Sequence, residues 1–255
     1  MIEPSLLELE DGRHINYKYI KNNSAKDYLI FYIHGYSDSM KEAKSMKIEE
    51  CAKKNKIDLI KFDLFGHGNS SGKLVDMTMD EWYNCCKIMI ERIVPKKMKI
   101  VFMGSSLGGW LSYILGEQYK DRARGIIGVA GAIDFFTDVI EPLVKEEDKN
   151  KELVYEMVYD NGLPSGDFVS RKLIESSKKY NMLNKEKIDI ICPIRLIHGL
   201  IDPVVPYTSS IKFIKSVVSQ DVKLYMEKNL DHDLTKPNNL DTFEKVVDEL
   251  VKDLN

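Results

Sequence analysis

The chain has 255 residues, of which 44% are hydrophobic and 30% charged, and its formal net charge is −3 at pH 7. A chain of this length can form one domain with a sizeable core, and its mild negative charge gives no electrostatic case for binding nucleic acid or an anionic membrane. No apolar run approaches the ~20 residues that a membrane span requires. We therefore expect a single domain over residues 1–255, with no integral membrane segment.

The N-terminus and the cysteines bear on the compartment. The first residues, MIEPS, include an acidic side chain and lack the basic and apolar segments of a secretory signal and the arginine-rich composition of a transit peptide. The four cysteines form no C-x-x-C pair and no disulfide-rich pattern, so we expect buried free thiols in a reducing compartment. The sequence thus predicts a cytoplasmic protein, and a processed organellar form is the alternative.

The first part of the chain has the pattern of two hairpin strands followed by alternating strands and helices. Asp11-Gly12 is a strong turn signal between two strands of alternating hydrophobicity. Residues 27–34 are almost continuously apolar, as in a strand that is covered on both faces. Thr78, with Glu81 three residues on, is typical of a helical capping box. The predicted elements are strands at 5–10, 14–20, 27–34 and 58–64 and helices at 41–54 and 78–93.

The second part of the chain continues this alternation. Its predicted strands lie at 99–104, 125–132, 193–198 and 222–226, and its predicted helices at 107–119, 207–218 and 241–254. The alternation from residue 27 onward favours an α/β protein with a mostly parallel central sheet and helices on both faces. Right-handed crossovers then bring the carboxyl ends of the strands to one edge of the sheet, where active-site loops collect.

An insertion interrupts the alternation at about residues 135–188. It is heavily charged, has helical patterns at 149–159 and 168–179 around a Gly- and Pro-containing stretch at 161–166, and has no strong strand signal. We therefore expect a small helical lid over the edge of the sheet. Four of its side chains could line an acyl groove or simply pack: Tyr155, Met157, Tyr159 and Phe168.

The motif with the clearest chemical meaning is G-x-S-x-G at residues 104–108. An apolar strand ends at Gly104, Ser106 follows at the turn, and a helical pattern begins at Leu107. In this context the motif is a nucleophile elbow, in which a strained backbone exposes the serine hydroxyl. Gly104 and Gly108 supply the clearance that the turn requires. The sequence therefore predicts that Ser106 is a nucleophile.

A serine nucleophile requires a base and a carboxylate that orients the base. Among the five histidines, His232 follows the last predicted strand in a short loop at the carboxyl edge of the sheet, where its ring can reach Ser106. The other histidines lie in a hairpin strand, at strand ends before glycines or in a glycine-rich loop, and we expect structural roles for them: His14, His34, His198 and His67.

The favoured acid is Asp202, which comes shortly after a buried strand. An Asp before a Pro is also a common turn signal. Position favours a catalytic role, because Ser106, Asp202 and His232 then follow one of the chain orders in which such triads occur. Asp231 and Asp233, the sequence neighbours of the histidine, are the reserve candidates.

Acyl transfer also requires preset donors for the oxyanion that forms on the substrate, each typically worth about 2.7–4 kcal/mol. The backbone N–H of Leu107, the residue after the nucleophile, is one candidate. The second is the N–H of Tyr36, in the loop after the strand at 27–34, where Gly35 keeps the backbone accessible. The side chain of Tyr36 is in addition a candidate for the pocket wall.

Several segments together resemble the α/β-hydrolase fold family over nearly the whole chain. They are HG at 34–35, DLFGHGNS at 63–70, GSSLGG at 104–109, HGLIDPVVP at 198–206 and DH at 231–232. The resemblance implies a serine hydrolase with Ser106, Asp202 and His232 as its triad and a structural loop at 63–70. The segments at 40–44, 48–51, 104–111 and 192–199 are more closely similar to the abhydrolase-domain group of palmitoyl-protein thioesterases and acyl-glucuronide esterases.

We therefore expect a serine esterase or thioesterase that uses neither a cofactor nor a metal. Its substrate would be a small-molecule or acylated-protein ester or thioester, as the resemblance implies. One alternative is a carboxylesterase or monoacylglycerol-type lipase acting on small lipid esters. Another is a non-catalytic binding module on the same fold, because fold alone does not determine function.

Overall fold

The computed structural model describes residues 3–158, 164–232 and 239–254. Within these ranges the chain forms ten strands and six α-helices. The strands are β1 (Ser5–Glu8), β2 (His14–Ile20), β3 (Tyr28–Ile33), β4 (Leu59–Phe62), β5 (Lys99–Ser105), β6 (Ala123–Val129), β7 (Leu153–Val158), β8 (Pro164–Ser170), β9 (Ile194–Gly199) and β10 (Val222–Glu227). The helices are α1 (Ala43–Lys54), α2 (Met79–Arg92), α3 (Leu107–Gln118), α4 (Arg171–Ser177), α5 (Thr208–Ser216) and α6 (Asn239–Asp253).

Eight of the strands form one sheet in the order β1-β2-β4-β3-β5-β6-β9-β10. The β1–β2 and β2–β4 pairs are antiparallel, and all the other neighbours in this sheet are parallel. The β1–β2 hairpin turns through Gly12, whose φ of +82° carries no steric cost for glycine. The predicted mostly parallel sheet is confirmed.

Helices cover both faces of the sheet. Alternate side chains of a strand point to opposite faces, so each strand contributes to both layers of the core. In β5, Ile100 and Phe102 belong to the cluster that contains Trp82 of α2. Val101 and Met103 belong instead to the cluster formed with α1 and α6. The central strands are therefore buried on both sides, which accounts for their apolar runs and holds the loops at their carboxyl ends in place.

The insertion between β6 and β9 differs from the predicted helical lid. The helix predicted at 149–159 is wrong, because β7 lies there and pairs antiparallel with β8. The helix predicted at 168–179 begins only at Arg171, after β8 has ended. Valine, tyrosine and phenylalanine side chains in these segments favour extended chain, and their pairing with each other outweighs the helical spacing. A π-helical turn at Phe136–Ile140 precedes this hairpin.

Two features of the composition can be examined in the described ranges. All four cysteines are buried free thiols, as the sequence predicts. Among the helices that the structure describes, none combines the length and the apolar character needed to cross a membrane.

Candidate active site

Ser106 lies at the sharp turn between β5 and α3. Its backbone has φ +53° and ψ −118°, a strained combination for a residue other than glycine that persists only where the surroundings enforce it. A Cβ atom at Gly104 would lie 2.1 Å from the carbonyl oxygen of Gly108, and a Cβ atom at Gly108 would lie 2.1 Å from that of Ile33. Both positions therefore require glycine, as the sequence predicts.

The side chains of Ser106, Asp202 and His232 form one hydrogen-bonded line. His232 Nε2 lies 3.1 Å from Ser106 Oγ, and His232 Nδ1 lies 2.8 Å from Asp202 Oδ2. Because Nδ1 faces a carboxylate, we assign the ring proton to Nδ1, which leaves Nε2 to accept the serine hydroxyl. The three residues lie in the turns that follow β5, β9 and β10, which end at the same edge of the sheet.

The carboxylate of Asp202 is fully enclosed, and both of its oxygens face donors. Oδ1 accepts hydrogen bonds from the backbone N–H groups of Val204 (2.9 Å) and Val205 (2.8 Å). Oδ2 faces His232 and, at 3.4 Å, Nε2 of His198. Burial raises the pKa of Asp202, but the two histidines and the backbone donor Val205 outweigh burial and hold the pKa well below its usual range. Asp202 is therefore ionised at neutral pH, as stabilising an imidazolium requires.

The two predicted oxyanion donors, Tyr36 and Leu107, line the same cavity as Ser106. Leu107 is the first residue of α3, so its N–H belongs to the helical turn whose N–H groups have no intrahelical partner. The loop that contains Tyr36 also passes close to the nucleophile, since a Cβ atom added at Gly35 would lie 3.4 Å from Ser106 Cβ. Both main-chain segments thus border the serine.

The cavity at Ser106 has a volume of about 250 Å³ and two kinds of lining. Its apolar part is formed by Trp110, Ala132, Phe135, Phe136, Met157 and Val204. Its polar part is formed by Ser37, Asp38, Lys44, Ser165 and Asp167. In the described ranges, no group of three or more His, Cys, Asp or Glu side chains is arranged to hold a metal ion. The cavity beside the serine therefore offers both apolar and polar contacts to a substrate.

Two of the other histidines stabilise loops at the edge of the sheet. His34 Nε2 accepts a hydrogen bond from the backbone N–H of Leu64 (3.0 Å), so its Nδ1–H donates to the carbonyl of Gly35 (2.7 Å). His67 Nδ1–H donates to the carbonyl of Phe65 (3.0 Å). Burial lowers the pKa of His34 and lowers that of His67 to about 3. Both rings are neutral at physiological pH, and their contacts support the structural roles predicted for them.

The remaining two histidines lie in β2 and β9, each the neighbour of an edge strand of the sheet. His14, in β2, has its Nε2 2.9 Å from the carbonyl oxygen of Asn69, a contact that joins the β1–β2 hairpin to the loop after β4. His198, in β9, lies 3.0 Å from the carbonyl oxygen of Val205 and, as noted for the carboxylate, 3.4 Å from Asp202. We predicted only a structural role for His198. Its contact with Asp202 had a signal in the sequence, because both residues lie at the carboxyl end of β9.

The contact to His232 Nδ1 bears on the two reserve acids. Asp231 adjoins His232 in sequence, yet the carboxylate that reaches Nδ1 is that of Asp202. Asp233 lies outside the described residues.

The side chains predicted to line an acyl groove have different positions. Met157 lines the cavity. Phe168 contributes its carbonyl oxygen, which accepts a hydrogen bond from the Tyr36 hydroxyl (3.2 Å). Tyr155 packs against the main hydrophobic core, and Tyr159 lies outside the described residues.

Several cavity residues were not predicted from the sequence. Trp110 comes four residues after Ser106 in α3 and therefore shares its face of the helix, a signal that was available. Phe135 and Phe136 follow the carboxyl end of β6, where active-site loops are expected. Lys44 lies on α1 in a pattern typical of a solvated face, so its place in the cavity could not be predicted from the sequence.

Comparison with known proteins extends this picture. Residues 67–251 match the model of the prolyl oligopeptidase family. The mitochondrial palmitoyl-protein thioesterase ABHD10 of Bos taurus is 29% identical over 252 residues, which are 98% of this chain and 80% of that protein.

Solved structures are similar as well. The alpha/beta hydrolase domain-containing protein 10 from mouse superimposes with a TM-score of 0.85 at 26% identity, over 100% of both chains. Est1E from Butyrivibrio proteoclasticus, solved with ferulic acid, has a TM-score of 0.79 at 18% identity over 98% of both chains. The second likeness shows the fold alone.

Proposed function

The chain belongs to the prolyl oligopeptidase family and is a hydrolase of the α/β-hydrolase fold, and we propose that it cleaves acyl esters or thioesters through Ser106, Asp202 and His232. The observation that carries this proposal is the hydrogen-bonded line of the three side chains beside a cavity with an apolar and a polar part. The name of the bovine relative, a palmitoyl-protein thioesterase, supports the choice of thioesters.

In the proposed reaction, Ser106 Oγ attacks the acyl carbonyl carbon while His232 Nε2 takes the hydroxyl proton. Asp202 stabilises the resulting imidazolium, and the N–H groups of Tyr36 and Leu107 bind the oxyanion. His232 then gives the proton to the departing alcohol or thiol, which leaves the acyl group on Ser106. Water, deprotonated by His232, attacks this acyl-enzyme, and release of the carboxylic acid restores the serine.

The cavity favours an acyl group of limited length. A cavity of about 150 Å³ admits benzene, so the volume of about 250 Å³ has room for roughly ten non-hydrogen atoms, shared between the acyl chain and the leaving group. The apolar lining suits the acyl chain, and the polar lining suits the leaving group. A longer chain, such as the palmitoyl group in the bovine relative's name, would extend beyond the cavity.

A series of acyl thioesters and matched oxygen esters, from acetyl to palmitoyl, tests the proposed activity and its chain-length limit. We expect kcat/KM to rise with chain length and to level off at no more than about ten carbons. Ser106→Ala should abolish turnover without changing the unfolding midpoint. A prolyl peptide anilide in the same assay tests for the peptidase activity after which the matched family is named.

The same series separates the alternatives. Preference for oxygen esters of glycerol over thioesters would favour a small-lipid esterase. Full turnover in the Ser106→Ala variant would contradict the proposal. Saturable binding of the esters without turnover would also contradict it and would favour a binding module.

For the compartment, the sequence predicts the cytoplasm, whereas the bovine relative's name specifies mitochondria. Fractionation of cells expressing the full chain would distinguish the two.

A further inference from the structure

A second histidine contacts the carboxylate of the proposed triad. His198 is fully buried, with Nε2 lying 3.0 Å from the carbonyl oxygen of Val205 and 3.4 Å from Asp202 Oδ2. Its Nδ1 lies 2.8 Å from the hydroxyl oxygen of Ser210 in α5. Because both groups that face Nε2 are acceptors, we assign the ring proton to Nε2, so that Nδ1 accepts a hydrogen bond from the Ser210 hydroxyl.

We propose that His198 is a positioning residue, which acts on His232 through the carboxylate of Asp202. This inference rests on the triad proposed above. His232 Nδ1–H donates to Asp202 Oδ2, and His198 Nε2, whose N–H donates to the Val205 carbonyl, lies 3.4 Å from the same oxygen, whereas Oδ1 is held by two backbone N–H groups. The N–H dipole of His198 therefore stabilises negative charge on Oδ2 alongside His232.

The surrounding contacts make His198 part of a closed arrangement. The backbone N–H of Val205 donates to Asp202 Oδ1, and the carbonyl of the same residue accepts from His198 Nε2. The hydroxyl of Ser210 fixes the far side of the ring from α5. Donation to Nδ1 also strengthens the Nε2–H as a donor, because hydrogen bonds in a chain polarise one another. The two contacts hold the ring in one orientation, with Nε2 beside Asp202 Oδ2.

The other charged groups near the histidine of the triad are unchanged by substitution at position 198. Asp231 adjoins His232 in sequence, and three charged side chains line the same cavity: Asp38, Lys44 and Asp167. A change in the titration of His232 on substitution of His198 therefore reports the contact through Asp202.

Two substitutions distinguish the Nε2–H from the bulk of the ring. His198→Gln places an amide N–H near the position of Nε2 and so retains a donor for Asp202. His198→Asn is shorter and places its polar group near the position of Nδ1, facing Ser210, which leaves Oδ2 to His232 alone. The His232 ring is followed by NMR through its Cε1–H signal across a pH titration of the full chain and both variants.

Loss of the donor concentrates the negative charge of Oδ2 on His232 and stabilises its charged form. We expect the titration midpoint of His232 in the Asn variant to rise by about 0.5–1 pH unit, and the midpoint in the Gln variant to stay at the wild-type value. The acid limb of the kcat/KM profile should move to higher pH by the same amount in the Asn variant, while KM stays within about threefold.

Equal shifts in the two variants, or an unchanged midpoint in a folded Asn variant, would overturn the inference. If the Asn variant does not fold, Ser210→Ala provides the second test. Loss of its hydroxyl weakens the Nε2–H as a donor, so a smaller shift in the same direction is expected and no shift would overturn the inference. Because the NMR midpoint does not depend on turnover, failure of the proposed hydrolysis would be seen separately, in the ester and thioester assay.

Discussion

Asp134 shows how a single buried carboxylate ties the insertion to the sheet. It follows β6 with a φ of +56°, and its oxygens accept hydrogen bonds from the backbone N–H groups of Met182 (2.8 Å) and Leu183 (2.8 Å). The next two residues in the chain, Phe135 and Phe136, line the cavity. Burial raises the pKa of Asp134 to about 6, and the backbone donors offset burial only in part.

The raised pKa predicts a pH-dependent stability. In the folded state Asp134 takes up a proton near pH 6, whereas in the unfolded chain it does so near pH 4. The folded state thus binds more protons between these pH values, and its free energy of unfolding falls as the pH rises through this window. Asparagine cannot titrate. The wild type should therefore gain stability over Asp134→Asn as the pH falls. The difference between their free energies of unfolding should be larger at pH 4.5 than at pH 7 by roughly 2 kcal/mol.

Urea unfolding of the wild type and the variant at the two pH values measures this difference. Asp121→Asn is the control, because it removes an exposed carboxylate outside the insertion. If Asp134→Asn and Asp121→Asn follow parallel stability curves from pH 4.5 to 7, a titrating buried carboxylate at position 134 is contradicted.

At the residue scale, the structure brings together the side chains that local pattern and chain position had singled out. Ser106 carries its own motif, and the strained turn leaves no room for Cβ atoms at its flanking glycines. Asp202 and His232 have no such motif and were placed by the strands they follow. The contact of His198 with Asp202 was missed, because the direction of a strand-end ring depends on a partner such as Ser210 from another element.

At the scale of elements, the β7–β8 hairpin is fastened to the loop after β3, next to the nucleophile. The Tyr36 hydroxyl donates to the carbonyl of Phe168 (3.2 Å), and the Ser37 hydroxyl donates to Asp167 Oδ2 (2.5 Å). Asp167 and Met157 of the hairpin also line the cavity. We propose that the insertion at 135–188 acts as a lid over the site and that these hydrogen bonds hold the hairpin against the substrate.

Removal of these hydroxyls should therefore weaken substrate binding. The double variant Tyr36→Phe with Ser37→Ala keeps the backbone N–H proposed as an oxyanion donor but loses both side-chain donors. Hydrogen bonds of this kind are worth about 0.5–1.5 kcal/mol each. Loss of both should therefore raise KM by about 5- to 150-fold, with kcat changed by less than about threefold.

Tyr180→Phe provides the control for this prediction in the steady-state assay. Its hydroxyl joins the insertion to Asp80 of α2 (2.8 Å), away from the cavity, so KM should stay at the wild-type value. A double variant with unchanged KM, or one that loses kcat instead, would contradict the role of the hairpin in binding.

The hairpin also marks the limit of sequence reasoning about elements. Helices and strands of the sheet were predicted to within a few residues, because their periodicity matches burial on one or both faces. The segment at 149–159 has only a weak pattern of its own. It becomes β7 through pairing with β8, a contact between two segments that neither of them specifies alone.

At the scale of the whole molecule, the parallel sheet assembles the site. Ser106 and His232 are 126 positions apart in the chain, and only the alignment of β5, β9 and β10 brings their loops to one edge. This part of the architecture could be predicted, because the alternation of strands and helices leaves few topologies with right-handed crossovers. The size and lining of the cavity could not, since they depend on how the insertion folds over that edge.

The central claim is that Asp202 and His232 activate Ser106 as a nucleophile. Labelling of the purified chain with a fluorophosphonate, followed by mass spectrometry of the modified peptide, tests it most directly. We expect labelling at Ser106 in the wild type, its loss in folded Ser106→Ala and His232→Ala, and its retention in His14→Gln, which alters a histidine in β2, three strands from β5 in the sheet. Labelling at another residue, or labelling of Ser106 at an undiminished rate in His232→Ala, would contradict the claim.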